Sequence, residues 1–301
     1  MNTGSLFIPK SRLKKIKERQ MAEDSRPTAE EYIKSLERSN KASEKAIRAA
    51  IGELGLFPNC NVLDIPCGIG NPSQWMAEEQ STANIVGIDI SEEHLLKARM
   101  LTERKKTSNS VVFLKGNINN LEFEEDTFDF IWCCDGLWPG AVEIGCLAED
   151  PYEILSEMVR VSKDGGTIAI VFWSSQKLLP GYPLLEARLN TTLAANIPVT
   201  PQTDSDLHFM RAPLWLEKTG LKNIKSRTFA ADINGPFNNE RKKAMLGFLH
   251  MFWGAAETEL SPEIWEQYKT ITNPDSDEFI FNKEGYAGFI TYTMFTGSVV
   301  K

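Results

Sequence analysis

Short apolar segments alternate with helical patterns through the middle of this chain, and this alternation constrains its fold more than any other feature. The predicted strands cover residues 61–65, 84–89, 111–114, 128–134 and 167–173. The helical patterns between them cover residues 72–80, 92–103 and 151–162. Because the segments are almost continuously apolar, we expect strands that are buried on both faces. The sequence therefore predicts an α/β fold with a mostly parallel sheet covered by helices on both sides.

The two ends of the chain depart from this alternation. Residues 1–59 predict an N-terminal helical cover, and its main helix spans 28–55, between the start signal at Pro27-Thr28 and the stop at Gly55. Residues 60–301 then form the main domain. Its last third predicts an edge strand at 223–233, a final strand at 289–299, and two long insertions at 176–222 and 238–284. Insertions of this length are more often lids or pocket walls than spacers.

The charge of the chain excludes several function classes. Its 301 residues carry 33 Lys+Arg and 41 Asp+Glu, a formal net charge of -8, although the first 20 residues hold six basic side chains and one acidic one. An acidic body disfavours a protein that mainly binds nucleic-acid phosphates or an anionic membrane. We expect the basic arm at residues 1–20 to be a solvated tail. Alternatively, it folds over a pocket or meets an anionic substrate or partner.

Cysteine, histidine and hydropathy patterns bear on the compartment of the protein, on bound metals and on membrane association. The five cysteines form no C-x-x-C pair, which favours free thiols, and the three histidines lack metal-ligand spacing. The apolar segment at 168–173 is too short to cross a membrane, and no apolar stretch precedes the N-terminal charges. We therefore expect a cytoplasmic protein without a bound metal and without a membrane partner.

Residues 62–71, Val-Leu-Asp-Ile-Pro-Cys-Gly-Ile-Gly-Asn, are the strongest functional signal. A strand ends at Asp64, a turn containing Gly68 and Gly70 follows, and a helix begins near Pro72. The glycines allow the backbone to approach a ligand closely, and the helix presents free N–H groups at its positive end. This geometry predicts a ligand site at the end of the first strand.

The second strand ends in Asp89, whose carboxylate can accept two hydrogen bonds from a ribose diol. A dinucleotide is disfavoured, because Ser73 stands where a third glycine is expected. The acid at Asp64 also suits a cationic ligand better than a pyrophosphate. The alternative is purely structural: the glycines form a tight turn and Asp89 caps a helix.

Further blocks follow in order within residues 60–173. Together the blocks are Asp64-Ile-Pro-Cys-Gly-Ile-Gly70, Val86-Gly-Ile-Asp89, Gly116-Asn-Ile118, Phe128-Asp-Phe-Ile131 and Arg160-Val-Ser-Lys-Asp-Gly-Gly166. This combination resembles the class I S-adenosylmethionine-dependent methyltransferases, especially the small-molecule branch typified by quinone-biosynthesis enzymes. Two positions depart from the family pattern, Pro66 for a usual glycine and Asn117 for a common aspartate.

The resemblance implies a Rossmann-like seven-stranded sheet, mostly parallel with the last strand antiparallel, and S-adenosylmethionine as cofactor. Asp64 and the loop after it would face the methionine part, and Asp89 the ribose. Two isoleucines and Asn117 would meet the adenine, and Cys134 would lie by the sulfonium. The implied cofactor residues are Asp64, Pro66, Cys67, Gly68, Gly70, Asp89, Ile90, Asn117, Ile118 and Cys134.

Candidate acceptor residues follow the fourth and fifth strands or lie in the insertions. A general base is needed only if the acceptor atom is protonated, and the candidates for it are Asp135, His208 and His250. The candidate substrate-pocket residues are Trp138, Trp173, Phe209, Trp215, Phe252 and Trp253. Aromatic residues at helical spacing also suit plain core packing, and a single histidine is often structural.

We therefore expect an enzyme, a monomer or homodimer, that transfers a methyl group from S-adenosylmethionine to a small-molecule acceptor. A nucleic-acid methyltransferase is an alternative within the enzyme class, disfavoured by the acidic body. From another class, the chain could be a non-catalytic cofactor-binding or interaction module, and the intact cofactor motifs weigh against this.

Overall fold

The computed structural model describes residues 28–107, 110–140, 146, 148–196, 199 and 203–301. The basic arm at residues 1–20 lies outside the described residues. Strands and helices alternate as predicted. The strands are β1 (Asn61–Asp64), β2 (Asn84–Asp89), β3 (Val111–Lys115), β4 (Phe128–Cys134), β5 (Ser162–Lys177), β6 (Lys222–Asn234) and β7 (Ala287–Ser298). The α-helices are α1 (Ala29–Leu54), α2 (Asn71–Glu79), α3 (Glu92–Lys105), α4 (Tyr152–Val161), α5 (Pro183–Asn190), α6 (Leu193–Asn196), α7 (Ala212–Lys218), α8 (Asn239–Trp253) and α9 (Pro262–Thr272).

Within the described part of the chain, the strands form one seven-stranded sheet in the order β3-β2-β1-β4-β5-β7-β6. The first five strands in this order are parallel to one another, whereas β7 is antiparallel to both β5 and β6. The fold class predicted from the sequence is therefore confirmed, including the antiparallel last strand. In this topology the carboxyl ends of the parallel strands meet at one edge of the sheet, which is where open α/β sheets bind ligands.

The central strands β1, β4 and β5 contribute to two cores, because successive side chains point to opposite faces of a sheet. On β1, Val62 packs in the core covered by α1, α2 and α3, and its neighbour Leu63 packs in the core covered by α4. Both side chains are fully buried. This burial on both faces explains why the strands are continuously apolar in sequence.

Helix α1 is the main element of the predicted N-terminal cover. A reciprocal capping box begins it: the Glu31 backbone N–H donates to Thr28 Oγ1 at 3.2 Å, and the Thr28 N–H donates to the Glu31 carboxylate at 2.8 Å. Gly55, with a φ of 67°, ends it. Buried residues Ala46 and Ile47 anchor its second half in the core, whereas its first half is half-buried or exposed.

The bounds of β5 differ most from the sequence-based prediction, whereas the ends of the other strands shift by two residues at most. Strand β5 runs from Ser162 to Lys177 rather than from 167 to 173, because it pairs with β7 as far as Lys177. The first insertion therefore begins after Lys177. Both insertions contain helices, and α8 and α9 of the second one pack into the same core as α1 through Phe248, Leu249 and Ile271. Their role as lids stays a prediction.

None of the helices in the described ranges is long and apolar enough to cross a membrane.

Candidate functional site

The loop between β1 and α2 lies at the carboxyl edge of the sheet. Its backbone is fixed to the neighbouring strands, because the Ile65 N–H donates to the Trp132 carbonyl at 2.9 Å and the Cys67 N–H donates to the Ile88 carbonyl at 2.8 Å. Gly70, with a φ of 82°, begins α2 and lies so close to Phe113 that a Cβ there would be 2.6 Å from its ring. The loop is thus held tightly on the protein side.

Gly68, in contrast, has open space beside it. Its φ is 52°, and a Cβ built there would meet nothing within 4 Å. On the other side of the loop, Gly136 lies against the ring of Pro66, where an added Cβ would be 2.0 Å from Pro66 Cδ. Pro66 therefore fits the loop only because a glycine faces it, and the loop presents open backbone at Gly68 to a ligand.

Asp64 is fully buried at the end of β1. Its Oδ2 accepts a hydrogen bond from the Ser73 hydroxyl at 2.5 Å, while its Oδ1 has no hydrogen-bond partner among the described residues. Burial raises the pKa of Asp64 to about 7, and the hydrogen bonds from Ser73 offset this only in part. A buried carboxylate oxygen without a donor is costly, so a cationic N–H donor from a ligand fits this position.

Asp89 ends β2 and is almost fully buried. Its Oδ2 accepts from the Gly68 N–H at 2.8 Å, and its Oδ1 accepts from the Ser91 N–H at 2.9 Å. His94 Nδ1 lies 3.3 Å from the same Oδ1. Burial alone would raise the pKa of Asp89, but the bonds from His94, Ser91 and Gly68 outweigh it and hold that pKa below its usual value. Asp89 is thus an ionised acceptor with lone-pair capacity left on Oδ2.

An apolar side chain follows Asp89 at the same edge. Ile90 is 66% exposed, which is high for isoleucine, whereas Ile118 is buried. Asn117 is exposed, and its Oδ1 accepts from the Asn119 N–H at 3.0 Å. The amide oxygen that the resemblance assigns to an adenine amino group is therefore partly occupied. An exposed apolar surface beside an ionised acid suits a planar base attached to a ribose.

Asp135 follows β4 at the same carboxyl edge of the sheet as Asp64 and Asp89, and we call the space along this edge the cleft. Its φ is 51°, uncommon for a residue other than glycine, and its Oδ1 accepts from the Trp173 N–H at 2.8 Å. Solvent reaches its side chain from the cleft. The surrounding protein nevertheless raises the pKa of Asp135 to about 6, because desolvation outweighs the hydrogen bonds from the Trp173 backbone and the Tyr292 hydroxyl. Such a carboxylate can accept a proton near neutral pH.

The two cysteines of the predicted site are neutral thiols. Cys67 is buried, and Cys134 is half-buried. Burial raises the pKa of both thiols, with a further contribution from Asp135 at Cys134 and from Asp64 at both. Neither cysteine is therefore suited to act as a thiolate nucleophile.

The six aromatic residues predicted to line one pocket fall into two groups on opposite faces of the sheet. Phe172 and Trp173 are neighbours on β5, so their side chains diverge. The first group, around Phe172, contains Trp138, Phe209 and Trp215. The second group, around Trp173, contains Phe248, Phe252 and Tyr292, with Trp253 beside Phe252. The second group adjoins Asp135, whose Oδ1 accepts a hydrogen bond from the Trp173 N–H.

Two of these aromatic residues are core residues in this structure. Trp215 is fully buried and donates its indole N–H to the Asp206 carbonyl at 2.6 Å. Trp253 is also fully buried and donates to Asn190 Oδ1 at 3.0 Å, which ties α8 to α5. The same periodicity describes a buried helix face and a pocket wall, so the sequence did not separate them.

The two candidate histidines lie apart from the Asp135 side of the cleft. The His208 ring contacts the Phe209 ring at a tilt of 35°, with ring centres 4.5 Å apart, and its Nδ1 accepts from the Met210 N–H. His250 is exposed on α8. It stands two residues from both Phe248 and Phe252, which places it on the opposite side of the helix from their contact with Trp173. Asp135 is therefore the catalytic candidate that the geometry favours.

The structure adds residues that sequence reasoning missed. Ser73 donates to Asp64, and His94 Nδ1 lies within hydrogen-bond distance of Asp89. The Tyr292 side chain lowers the pKa of Asp135, and Phe248 packs on Trp173. Ser73 had a sequence signal, because it occupies the helix turn that follows Asp64. Tyr292 had none, since its partner is more than a hundred positions away in the chain.

Known proteins that are similar to this chain include methyltransferases. A family model described as a methyltransferase domain matches residues 56–210, a little over half of the chain. Methyltransferase phqN of Penicillium fellutanum is 37% identical over 109 residues, which is 36% of this chain and 31% of that protein. Sterol 24-C-methyltransferase ERG6 of Saccharomyces cerevisiae is 31% identical over 112 residues, which is 37% of this chain and 27% of that protein. The chain thus matches about a third or less of the length of these relatives.

One solved structure is similar over nearly the whole fold. The YcgJ protein of Bacillus subtilis superposes with a TM-score of 0.51 and 17% identity, covering 86% of this chain and 99% of that one. At this identity the likeness concerns the fold alone.

Proposed function

The chain belongs to the family of proteins that carry this methyltransferase domain, and from that premise we propose that it transfers the methyl group of S-adenosylmethionine to a small, largely apolar acceptor. One observation supports this most strongly: the buried Oδ1 of Asp64 has no donor among the described residues. The ammonium group of the cofactor's methionine part supplies a charged donor of the kind this oxygen lacks. The quinone-biosynthesis sub-branch stays a prediction.

The residues of the cleft fit the rest of the cofactor. The open backbone at Gly68 can lie against the methionine part, and Asp89 Oδ2 can accept a hydrogen bond from a ribose hydroxyl. The exposed Ile90 can cover one face of the adenine. Bound there, S-adenosylmethionine supplies a methyl group already activated by a sulfonium. The protein's own residues then need only hold and align the acceptor and exclude water.

The acceptor side of the cleft supports an apolar molecule with an ionisable nucleophile. Trp173, Phe248 and Phe252 form an aromatic wall, and the yeast relative is named for a sterol, itself an apolar acceptor. Asp135, held by the Trp173 N–H, can take the proton of a hydroxyl or carbon acid as the acceptor atom bonds to the methyl carbon. The carbon–sulfur bond electrons would stay on sulfur, so the products would be S-adenosylhomocysteine, the methylated acceptor and protonated Asp135.

Calorimetry with S-adenosylmethionine and S-adenosylhomocysteine tests the cofactor assignment directly. Wild-type protein should bind both, Asp89→Ala should bind at least about tenfold more weakly, and the exposed-site control Asp277→Asn should bind like wild type. No binding by the wild type would reject the proposal. A titration with RNA at low salt tests the nucleic-acid alternative, because tight, salt-sensitive binding would support it.

The acceptor assignment needs a second experiment. A thermal-shift screen of small apolar hydroxyl compounds in the presence of S-adenosylhomocysteine should give ligands that stabilise the wild type. Trp173→Ala should lose these shifts and keep cofactor affinity, whereas the buried Trp253→Phe variant should keep both. Hits that are insensitive to Trp173→Ala would contradict an acceptor site at this wall. Light scattering tests the predicted monomer or homodimer.

A further inference from the structure

The first half of α1 crosses the elements that form the cofactor cleft. Tyr32 stacks on His94 with ring centres 5.5 Å apart and an interplanar angle of 21°. One turn further along, Glu37 pairs with Lys97 of α3 at 2.6 Å. Asn40 Nδ2 then donates to Oδ1 of Asn71, the first residue of α2, at 3.1 Å. These contacts fix the helix above the turn that follows β2.

This half of α1 has a burial pattern that its own core does not explain. Tyr32 is 48% exposed although it is aromatic, while Ile33, Leu36 and Asn40 are half-buried. The second half is anchored by fully buried side chains such as Ala46 and Ala50. About half of the Tyr32 side chain is therefore left uncovered by the protein and is available for a further contact.

His94 connects that ring to the acid of the cleft. Its backbone N–H is capped by the Ser91 hydroxyl at 3.2 Å, which fixes the start of α3. Its Nδ1 lies 3.3 Å from Asp89 Oδ1, which also accepts from the Ser91 N–H. Oδ1 therefore has both of its acceptor positions used, whereas Oδ2 accepts only from Gly68 and keeps one position open. By occupying Oδ1, the imidazole leaves Oδ2 as the carboxylate oxygen that can accept a hydrogen bond from a ligand.

We propose that His94 and Tyr32 are positioning residues for the cofactor's ribose: His94 orients the carboxylate of Asp89, and the Tyr32 ring covers that carboxylate from α1. This inference rests on the proposed function, since it concerns the same cofactor. It assigns α1 a role in recognition that neither the strand motifs nor the resemblance assigned to it. The part of the ligand that it concerns is the adenosine moiety rather than the amino acid.

Calorimetry with two probes separates these parts. S-Adenosylhomocysteine carries both the adenosine and the amino acid, and 5′-methylthioadenosine carries only the adenosine. Tyr32→Ala and His94→Ala should each weaken both probes by about five- to tenfold, as expected for loss of one ring stack or one charge-assisted hydrogen bond. Tyr32→Phe keeps the ring and should stay within about twofold of wild type. The double variant should lose less than the product of the single losses, because both act through one contact.

Two control variants test for a merely structural role. Arg38→Ala lies on the exposed face of α1, and His250→Ala removes an exposed histidine from α8; both should bind like wild type. Wild-type affinity in Tyr32→Ala, a loss shared by Arg38→Ala, or a loss confined to S-adenosylhomocysteine would each overturn the inference while leaving the proposed function in place. A wild-type protein that binds neither probe would reject the proposed function and this inference together.

Hydrogen exchange gives a second readout that needs no turnover. Amides of the first half of α1 should exchange more slowly when S-adenosylhomocysteine is bound to the wild type, because a ligand beneath the helix stabilises it. The effect should disappear in Tyr32→Ala. Equal protection in the variant and the wild type would contradict the cover formed by Tyr32.

Discussion

The Ser73 hydroxyl donates to Oδ2 of Asp64 at 2.5 Å. This bond from an uncharged donor is the single side-chain hydrogen bond to a carboxyl group that is fully buried. The partner Oδ1 has no donor in the described part of the chain. The described residues therefore supply no cationic donor that would balance the negative charge of ionised Asp64. This imbalance leads to two opposite predictions, one for ligand binding and one for stability.

Cofactor affinity should rise with pH. Burial raises the pKa of Asp64 to about 7, so below that pH the free protein holds a neutral carboxyl that a cation binds poorly. Between pH 5.5 and 7 the affinity for S-adenosylmethionine should increase by up to about tenfold per pH unit and then level off. Calorimetry across this range measures it. The ratio of wild-type to Asp64→Asn affinity should grow with pH, and a constant ratio would contradict the role of the Asp64 charge.

The free energy of unfolding of the cofactor-free protein should fall as the pH rises, in contrast to the cofactor affinity. Folded Asp64 keeps its proton up to about pH 7, whereas in the unfolded chain the proton leaves near the ordinary aspartate pKa of 3.8. The folded state therefore binds more protons between these values, and the free energy of unfolding falls as pH rises through that window. Asp64→Asn should raise the melting temperature more at pH 8 than at pH 5. An equal change at both pH values would show that burial of the charge is not the cause.

Gly136 should be intolerant of alanine. A Cβ there would be 2.0 Å from Pro66 Cδ, so the β1–α2 loop must shift, at a cost of about 1–3 kcal/mol. Chemical denaturation measures this cost, and weaker binding of S-adenosylhomocysteine should accompany it. Gly247→Ala is the matched control, because nothing lies within 4 Å of the added Cβ in α8. This variant should have a free energy of unfolding about 0.5–1 kcal/mol higher than that of the wild type. Similar results for the two variants would contradict the packing role of Gly136.

Two buried tryptophans should respond differently to phenylalanine. Both Trp132 and Trp253 are fully buried. The indole N–H of Trp132 has no partner among the described residues, whereas that of Trp253 donates to Asn190. Trp253→Phe removes a hydrogen bond and leaves Asn190 Oδ1 without its donor. It should therefore lower the free energy of unfolding by about 1 kcal/mol more than Trp132→Phe does. Urea unfolding of the two variants compares them, and an equal or larger cost for Trp132→Phe would refute the difference.

Much of the fold could be predicted because its signals are local. The apolar segments around Val62 and Ile168 predict buried strands, since each strand is covered on both faces. The Thr28 capping box and Gly55 define α1, because the four unpaired groups at each helix end must be satisfied nearby. The Asp64–Gly70 turn and Asp89 were recognisable for the same reason: their geometry depends on neighbouring residues in the chain.

The acceptor side was less predictable, because its partners are distant in sequence. Trp138 and Trp173 looked equivalent as aromatic residues after neighbouring strands, yet alternation along β5 sends their two clusters to opposite faces of the sheet. Trp215 and Trp253 have the periodicity of a pocket wall and lie in the core. The candidates His208 and His250 have no feature in sequence that separates a functional histidine from a structural one.

The sequence by itself determined the strand–helix order, the ligand-binding turn and the acids that end β1 and β2, because steric and hydrogen-bond rules act over a few residues. Only the tertiary structure decided which oxygen of Asp64 lacks a donor, that Tyr32 stacks on His94, and that Asp135 accepts from the Trp173 backbone N–H. These relationships join residues that the chain separates and the sheet brings together, and their energies depend on burial, which a linear pattern does not specify.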